Sequence, residues 1–92
     1  MTAQASAINV TGAGVVVATP CTYRGISVAD TSAAANVVTV YDNASAASGT
    51  VIAVIALDAS GSGGESVPDG VHAQHGLFLD TTGDIVGSVR IG

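Results

Sequence analysis

The segment that decides the fold is residues 23–57, which reads YRGISVAD, TSAAA, NVVTVYDN, ASAASG and TVIAVIAL. It predicts three strands joined by two connections of small residues. In the first strand, Ile26 and Val28 alternate with smaller or polar residues, which is the two-residue period of a half-buried strand. The second strand has apolar side chains on both faces. The third, residues 51–57, is a nearly unbroken β-branched run, typical of a strand that is covered on both sides.

The flanking sequence extends this pattern to about seven strands at a spacing of roughly ten residues, which predicts an all-β fold, a small antiparallel β-sandwich or barrel. Residues 1–7 are predicted to form a flexible N-terminal arm, and residues 8–92 a single domain. The other predicted strands are 15–18 (ended by Pro20), 71–73, 76–81 and 85–91, the last two forming a hairpin across 82–84. Residues 58–70, rich in glycine and serine, are predicted to be a mobile surface loop. The connection 30–36 is either a short helical turn capped by Asp30 or Thr31, or a loose link.

Composition narrows the possible partners. The net charge is −5, and only 10% of the residues are charged, with Arg24 and Arg90 as the two basic side chains. Two arginines cannot neutralise a phosphate backbone, so nucleic acid is not an expected partner, and an anionic membrane surface is disfavoured for the same reason. A monomer exposed on every side normally carries more charge. We therefore expect much of the surface to be covered by copies of the chain or by a larger partner.

The sequence also bears on where the protein is made. Its longest strongly apolar run, residues 51–57, is far shorter than the ~20 residues of a membrane span. The N-terminal segment lacks the basic and long apolar regions of a signal peptide. The single cysteine, Cys21, cannot form an internal disulfide. These features predict synthesis in the cytosol.

No catalytic site, metal site or cofactor is predicted. His72 and His75 lie three residues apart, but on a strand or loop this spacing separates the two imidazoles, and exposed loop histidines are expected, with a cluster at an oligomer axis as the alternative. Asp80 and Asp84 flank a turn, which is ordinary turn chemistry. Cys21 is expected to be a small buried side chain. The protein is therefore not expected to be an enzyme.

The most suggestive polar residues are Tyr23, Arg24 and Arg90, which we predict to bind a partner. By strict alternation, Arg24 lies on the same face of its strand as Ile26 and Val28. We therefore expect it at a sheet edge or interface, with its aliphatic stem packed and its guanidinium paired. In so acidic a chain, the two arginines are expected either to contact an acidic partner or to form surface salt bridges within the chain, which contribute little stability.

The succession of strand and turn residues resembles the small β-sandwich structural proteins of tailed bacteriophages and prophages. The similarity covers residues 14–92, and the segments that carry it are YRG (23–25), YDN (41–43), GTV (49–51), GLFL (76–79) and GSVRIG (87–92). The resemblance implies a virion component, first of all a capsid decoration or cement protein that binds the major capsid protein, forms a homotrimer and stabilises the head. It also leaves open a head–tail connector or tail protein. A carbohydrate- or cell-surface-binding β-module is a further alternative, because sandwiches host many functions.

Overall fold

Short apolar runs separated by glycine, proline and serine become β-strands over residues 6–92, the part of the chain that the computed structural model describes. The eight strands are β1 (Ser6–Val10), β2 (Gly14–Val17), β3 (Cys21–Asp30), β4 (Asn36–Asp42), β5 (Thr50–Leu57), β6 (Ser62–Ala73), β7 (Leu77–Thr81) and β8 (Ile85–Ile91). No helix occurs in this range, and the connection after Asp30 is a bend in which the Asp30 carboxylate accepts hydrogen bonds from the backbone N–H and the hydroxyl of Ser32, both at 2.7 Å.

The strands form two four-stranded sheets that pack face to face, with every pairing antiparallel. Sheet A has the order β1-β8-β3-β6, and sheet B has the order β2-β7-β4-β5. Of the consecutive strands, only β4 and β5 pair with each other, so every other connection carries the chain from one sheet to the other. The predicted antiparallel β-sandwich is confirmed.

The core lies between the inner faces of the two sheets, where side chains from alternate positions meet. Ile26 and Val28 point inward from sheet A, as their alternation predicts, and Val38 and Val40 point inward from sheet B. The largest fully buried apolar side chains are Tyr23, Ile26, Leu77, Leu79, Ile85, Val38, Val40 and Val89.

The predicted hairpin of 76–81 with 85–91 is wrong. The two segments are strands β7 and β8, but β7 pairs with β2 and β4 in sheet B, whereas β8 pairs with β1 and β3 in sheet A. The turn between them crosses the sandwich, and the buried Asn36 side chain secures it. Its carbonyl oxygen accepts hydrogen bonds from the N–H and hydroxyl of Thr82, both at 3.0 Å, and its amide donates to the Asp84 carbonyl at 3.4 Å.

The predicted mobile loop 58–70 is largely strand. Residues 62–73 form β6, the outer strand of sheet A, and the short strand predicted at 71–73 is its final part. The glycines that suggested mobility instead permit close pairing. A Cβ atom added to Gly64 would lie 2.2 Å from the carbonyl oxygen of Ile26 on β3, so only glycine lets the two backbones approach this closely.

Strand β5 was predicted to be covered on both sides, and the structure corrects this. It is the outer strand of sheet B, and only its inward residues, such as Ala53 and Leu57, are buried. The outward side chains of Val51 and Val54 are exposed. The continuous apolar run therefore reflects an exposed apolar surface in place of a second layer of core.

The N-terminal region holds one strand more than predicted. Ser6 and Ala7, assigned to the arm, begin β1, which pairs with β8. Residues 1–5 of the predicted arm lie outside the described residues. Pro20 follows β2 and precedes β3, as expected for a residue that cannot donate to a strand ladder.

Candidate functional site

Tyr23, one of the three predicted partner-binding residues, belongs to the core. Its ring is fully buried on the inner face of sheet A, and its hydroxyl donates a 2.9 Å hydrogen bond to Oε1 of Glu65 on the outer strand β6. Burial, followed by the hydrogen bond to Glu65 and the charge of that carboxylate, raises the pKa of the Tyr23 hydroxyl. Tyr23 therefore ties the core to an edge strand, and it is the least exposed of the three predicted residues.

Arg24 lies at a β-bulge, which the strict alternation used above did not anticipate. Tyr23 pairs with Ile91 and Gly25 pairs with Arg90, so Arg24 is one residue more than β8 can match. The bulge shifts the alternation by one position, so Tyr23 and Ile26 both face the core although only two residues lie between them. Arg24 is therefore not on the face of Ile26 and Val28.

The side chain of Arg24 contacts a segment of β6 that is itself irregular. Across from the bulge, Tyr23 pairs with Val71 and Gly25 with Ser66, so residues 67–70 of β6 leave the ladder. Arg24 donates a hydrogen bond from Nη1 to the carbonyl oxygen of Pro68 in this segment. A positive φ of 74° at Gly70 then returns the chain to the ladder, a conformation that glycine adopts without steric cost.

Arg90 is the exposed member of the three. It lies on the outer face of sheet A, in a cross-strand row between Ala7 and Gly25. Within residues 6–92, no carboxylate oxygen lies within 4.0 Å of either arginine. The predicted internal salt bridges are thus not formed, and the Arg90 guanidinium stays open to solvent. Partner binding by Tyr23, Arg24 and Arg90 stays a prediction, with Arg90 the best placed of the three.

One row of residues on the outer face of sheet B is apolar across the full width of the sheet. Directly paired residues point to the same side of a sheet, so the register places Val15, Phe78, Tyr41 and Val51 in one row that crosses all four strands. We call this row, together with Val54, Val37 and Ala56 on the same side, the apolar face. Asp80 and Thr39 are the polar residues that the register places among them.

The outer face of sheet A is different in character. Its central rows consist of small and polar residues, chiefly Asn9, Ser88, Ser27, Gly64, Ala29 and Ser62, with Val86 as an exposed apolar side chain. The two outer faces of the sandwich therefore differ sharply, one being small and polar and the other apolar.

Asp42 is a structurally important polar residue that the sequence analysis did not identify. Its two carboxylate oxygens accept hydrogen bonds from the backbone N–H groups of Gln74 (3.0 Å) and His75 (2.8 Å), so it joins the end of β4 to the connection between β6 and β7. The His75 imidazole lies 3.4 Å from the same carboxylate. These contacts, the N–H of His75 foremost, lower the pKa of Asp42 against the opposing effect of burial. The available signal was an aspartate directly after a strand, in the segment YDN.

A depression lies beside Asp42, and its polar side chains are engaged in local hydrogen bonds. It is open, has a volume of about 310 Å³, and is lined by Asp42, Asn43, Ala44, Gly49, Thr50 and His75. Both oxygens of Asp42 are engaged with backbone groups, and Asn43 binds the backbone N–H groups of Ser45 and Ala46 within its own turn. The side chains here stabilise a turn and a strand end.

The remaining residues considered for chemistry are scattered. Among residues 6–92, no three His, Cys, Asp or Glu side chains lie close enough to hold a metal ion. Asp80 lies on the apolar face, and Asp84 ends the turn before β8. Cys21 packs partly buried against the core, and burial, together with the negative charge of Asp42, raises the pKa of its thiol, which disfavours the reactive thiolate.

No family model, curated protein or solved structure matches this chain. The resemblance to phage sandwich proteins consequently rests on the strand and turn residues alone. Residues 6–92 also contain no helix that is long and apolar enough to cross a bilayer.

Proposed function

We propose that this protein is a structural component of a bacteriophage virion, a decoration protein that binds the major capsid protein and stabilises the head. Its location would be the capsid surface, after synthesis in the host cytoplasm. The observation that carries the proposal is the apolar face. Exposed apolar patches that are contiguous and rimmed by polar residues commonly mark interaction sites in soluble proteins.

The low charge of the chain supports the same function. With 10% charged residues and a net charge of −5, the protein has few groups to keep an apolar sheet face in water, so burial against a large partner would be favourable. Nucleic acid and anionic membranes suit this acidic chain poorly as partners. A protein subunit with an apolar junction suits it well.

The proposed mechanism is mechanical and needs no cofactor or catalytic residue. The apolar face would bridge neighbouring capsid subunits, and each buried square ångström of apolar surface would contribute about 25 cal/mol. A ligand that binds the assembled shell and not its free subunits stabilises the shell by about 2.7 kcal/mol per site at a hundredfold excess over its Kd. Repeated over the lattice, this contribution would oppose disruption of the head.

The test compares complete phage particles with particles that lack this protein. We expect the deficient particles to assemble and to release their DNA at a lower temperature than complete ones, and purified protein to restore the higher temperature. Deficient particles with an unchanged release temperature would contradict the proposal, and particles without tails would place the protein in the tail or neck.

Two matched variants locate the contact. Val15→Lys changes the apolar face, where Val15 is 49% exposed, and Val86→Lys changes the outer face of sheet A, where Val86 is 46% exposed. Both substitutions add one positive charge. We expect Val15→Lys to lose restoration and Val86→Lys to retain it. The reverse result would indicate that the capsid contacts the outer face of sheet A.

A further inference from the structure

Strand β5 is an edge strand with neither the charged side chains nor the prolines that usually discourage pairing. It runs for eight residues, TVIAVIAL, with no charged side chain and no proline. Within residues 6–92 it pairs only with β4, so the backbone groups on its other side have no strand partner. An exposed, long and apolar edge strand is a template for pairing with another chain.

Two of the other edges, β2 and β6, are protected in recognisable ways. Strand β2 is four residues long, and an irregularity between Val15 and Val17 interrupts its ladder. Strand β6 carries Glu65 and Pro68, and its ladder is broken at residues 67–70. Short edges, charges, prolines and bulges are the devices that prevent edge-to-edge association. Strand β5 has one irregularity of its own, at Ile52, but residues 53–57 pair regularly with β4 and include neither a charged side chain nor a proline.

We propose that β5 pairs antiparallel with β5 of a second copy of this chain, forming a two-fold dimer with a continuous eight-stranded sheet. Identical strands related by a two-fold axis supply the same backbone donors and acceptors to each other, so the contact is self-complementary. All seven acidic residues of the chain lie outside β5, so the pairing brings no like charges directly opposite each other. Val51 and Val54 carry the apolar face up to this edge.

The dimer would join two apolar faces into one surface of twice the area. This inference deepens the self-association expected of a decoration protein and rests on that proposed function, but it is tested in the absence of any capsid. An edge contact buries less than a standard interface of about 1,600 Å², so we expect a dissociation constant of roughly micromolar order. A two-fold contact also predicts dimers in place of the homotrimer that the resemblance implies.

The test is sedimentation of the full chain over a range of concentrations, with two variants of equal charge. Val54→Lys places a cation at the β5 edge, where Val54 is 59% exposed, and Val15→Lys places one on the same face of the sheet at the opposite edge. Both side chains point to solvent in the monomer, so both variants should fold, which circular dichroism would verify. We expect dimers for the unmodified chain and for Val15→Lys, and monomers for Val54→Lys, with a loss of at least tenfold in affinity.

Several outcomes would overturn the inference. A monomeric unmodified chain at high micromolar concentration would exclude the pairing, and a trimer would exclude the two-fold contact. Equal dissociation by both variants would indicate that the sheets stack through the apolar face in place of joining at the edge. Amide hydrogen exchange gives a second readout, since pairing should slow the exchange of β5 amides as the concentration rises and leave β2 amides unchanged. Capsid restoration by Val15→Lys is scored separately, so failure of the dimer and failure of the capsid function are distinguishable.

Discussion

At the scale of single residues, the close approach of β8 to β3 depends on Gly87. A Cβ atom added there would lie 2.1 Å from the backbone carbonyl oxygen of Ser27, and the two central strands of sheet A would have to separate. We expect Gly87→Ala to lower the free energy of unfolding by about 1–3 kcal/mol, the usual range for overpacking. Urea denaturation measures the change.

Gly12→Ala is the matched control, because a Cβ atom at Gly12 meets nothing within 4 Å. We expect this variant to unfold within about 0.5 kcal/mol of the unmodified chain. Equal effects of the two substitutions would mean that the close approach of the β3 backbone is not the reason why position 87 requires glycine.

Asp42 gives the fold a dependence on acid pH. Folding lowers the pKa of Asp42 below its ordinary value of 3.8, chiefly through the hydrogen bond from the His75 backbone N–H. The resulting stabilisation is fully present at neutral pH. It is lost as the pH falls from about 3.8, the ordinary pKa, through the lower pKa of Asp42 in the folded state. We therefore expect Asp42→Asn to be less stable than the unmodified chain at pH 6, and the difference to shrink below about pH 4.

The measurement is the midpoint of urea denaturation between pH 2 and pH 7. Asp58→Asn removes an equal charge from an exposed side chain that accepts no hydrogen bond among the described residues, and it serves as the control. A difference between Asp42→Asn and the unmodified chain that stayed constant down to pH 2 would show that the carboxylate charge does not strengthen these hydrogen bonds.

At the scale of elements, β6 determines how the chain tolerates shortening. Deletion of residues 60–64 would be harmless in a mobile loop, but it removes the pairs of Ser62, Gly63 and Gly64 with β3 and the hydrogen bond from the Asp30 N–H to the Gly61 carbonyl. We expect the deletion to lower the urea midpoint sharply or to prevent folding. Circular dichroism and denaturation would show this.

A lengthened turn provides the comparison for this deletion. Two glycines inserted between Ala46 and Ala47 extend the exposed β4–β5 turn and remove no strand pair, so closure entropy should cost less than about 1 kcal/mol. A deletion of 60–64 as mild as this insertion would contradict the role assigned to β6.

The strands also show how much of the fold could be predicted from the sequence. Alternation identified inward residues of β3, because Ile26 and Val28 follow a two-residue period. In β4, apolar residues on both faces left the inward side undetermined. It could not assign strands to sheets, since β7 and β8 would bury the same residues in a hairpin as on opposite sides of a sandwich. Glycine-rich β6 was hidden because glycine is typical of loops as well as of tightly paired backbones.

The candidate site was predicted less completely than the fold. Arg90 follows the alternation of β8 and is exposed on it, whereas the bulge at Arg24 shifts the alternation and is not encoded in the residue types on either side. The apolar face was misinterpreted as buried, because periodicity shows where apolar side chains lie and not what covers them. Its exposure follows from the two-layer architecture, because no third layer of residues 6–92 covers the outer side of sheet B.

At the scale of the whole molecule, the two outer faces of the sandwich differ in polarity. One is small and polar with Arg90 exposed on it, and the other is mainly apolar and ends at the edge of β5. A dimer joined at β5 would place both apolar faces toward the capsid and both polar faces toward solvent. Burial of apolar surface would then supply most of the binding energy, with a small dependence on salt.

The central proposal, that this protein decorates a capsid, is tested most directly by its copy number in purified particles produced from a phage or prophage that carries its gene. Quantitative mass spectrometry against the major capsid protein gives this number. A decoration protein occupies repeated sites on the lattice, so the account predicts a copy number of the same order as that of the major capsid protein. Absence from the particles, or only a handful of copies in each, would contradict it.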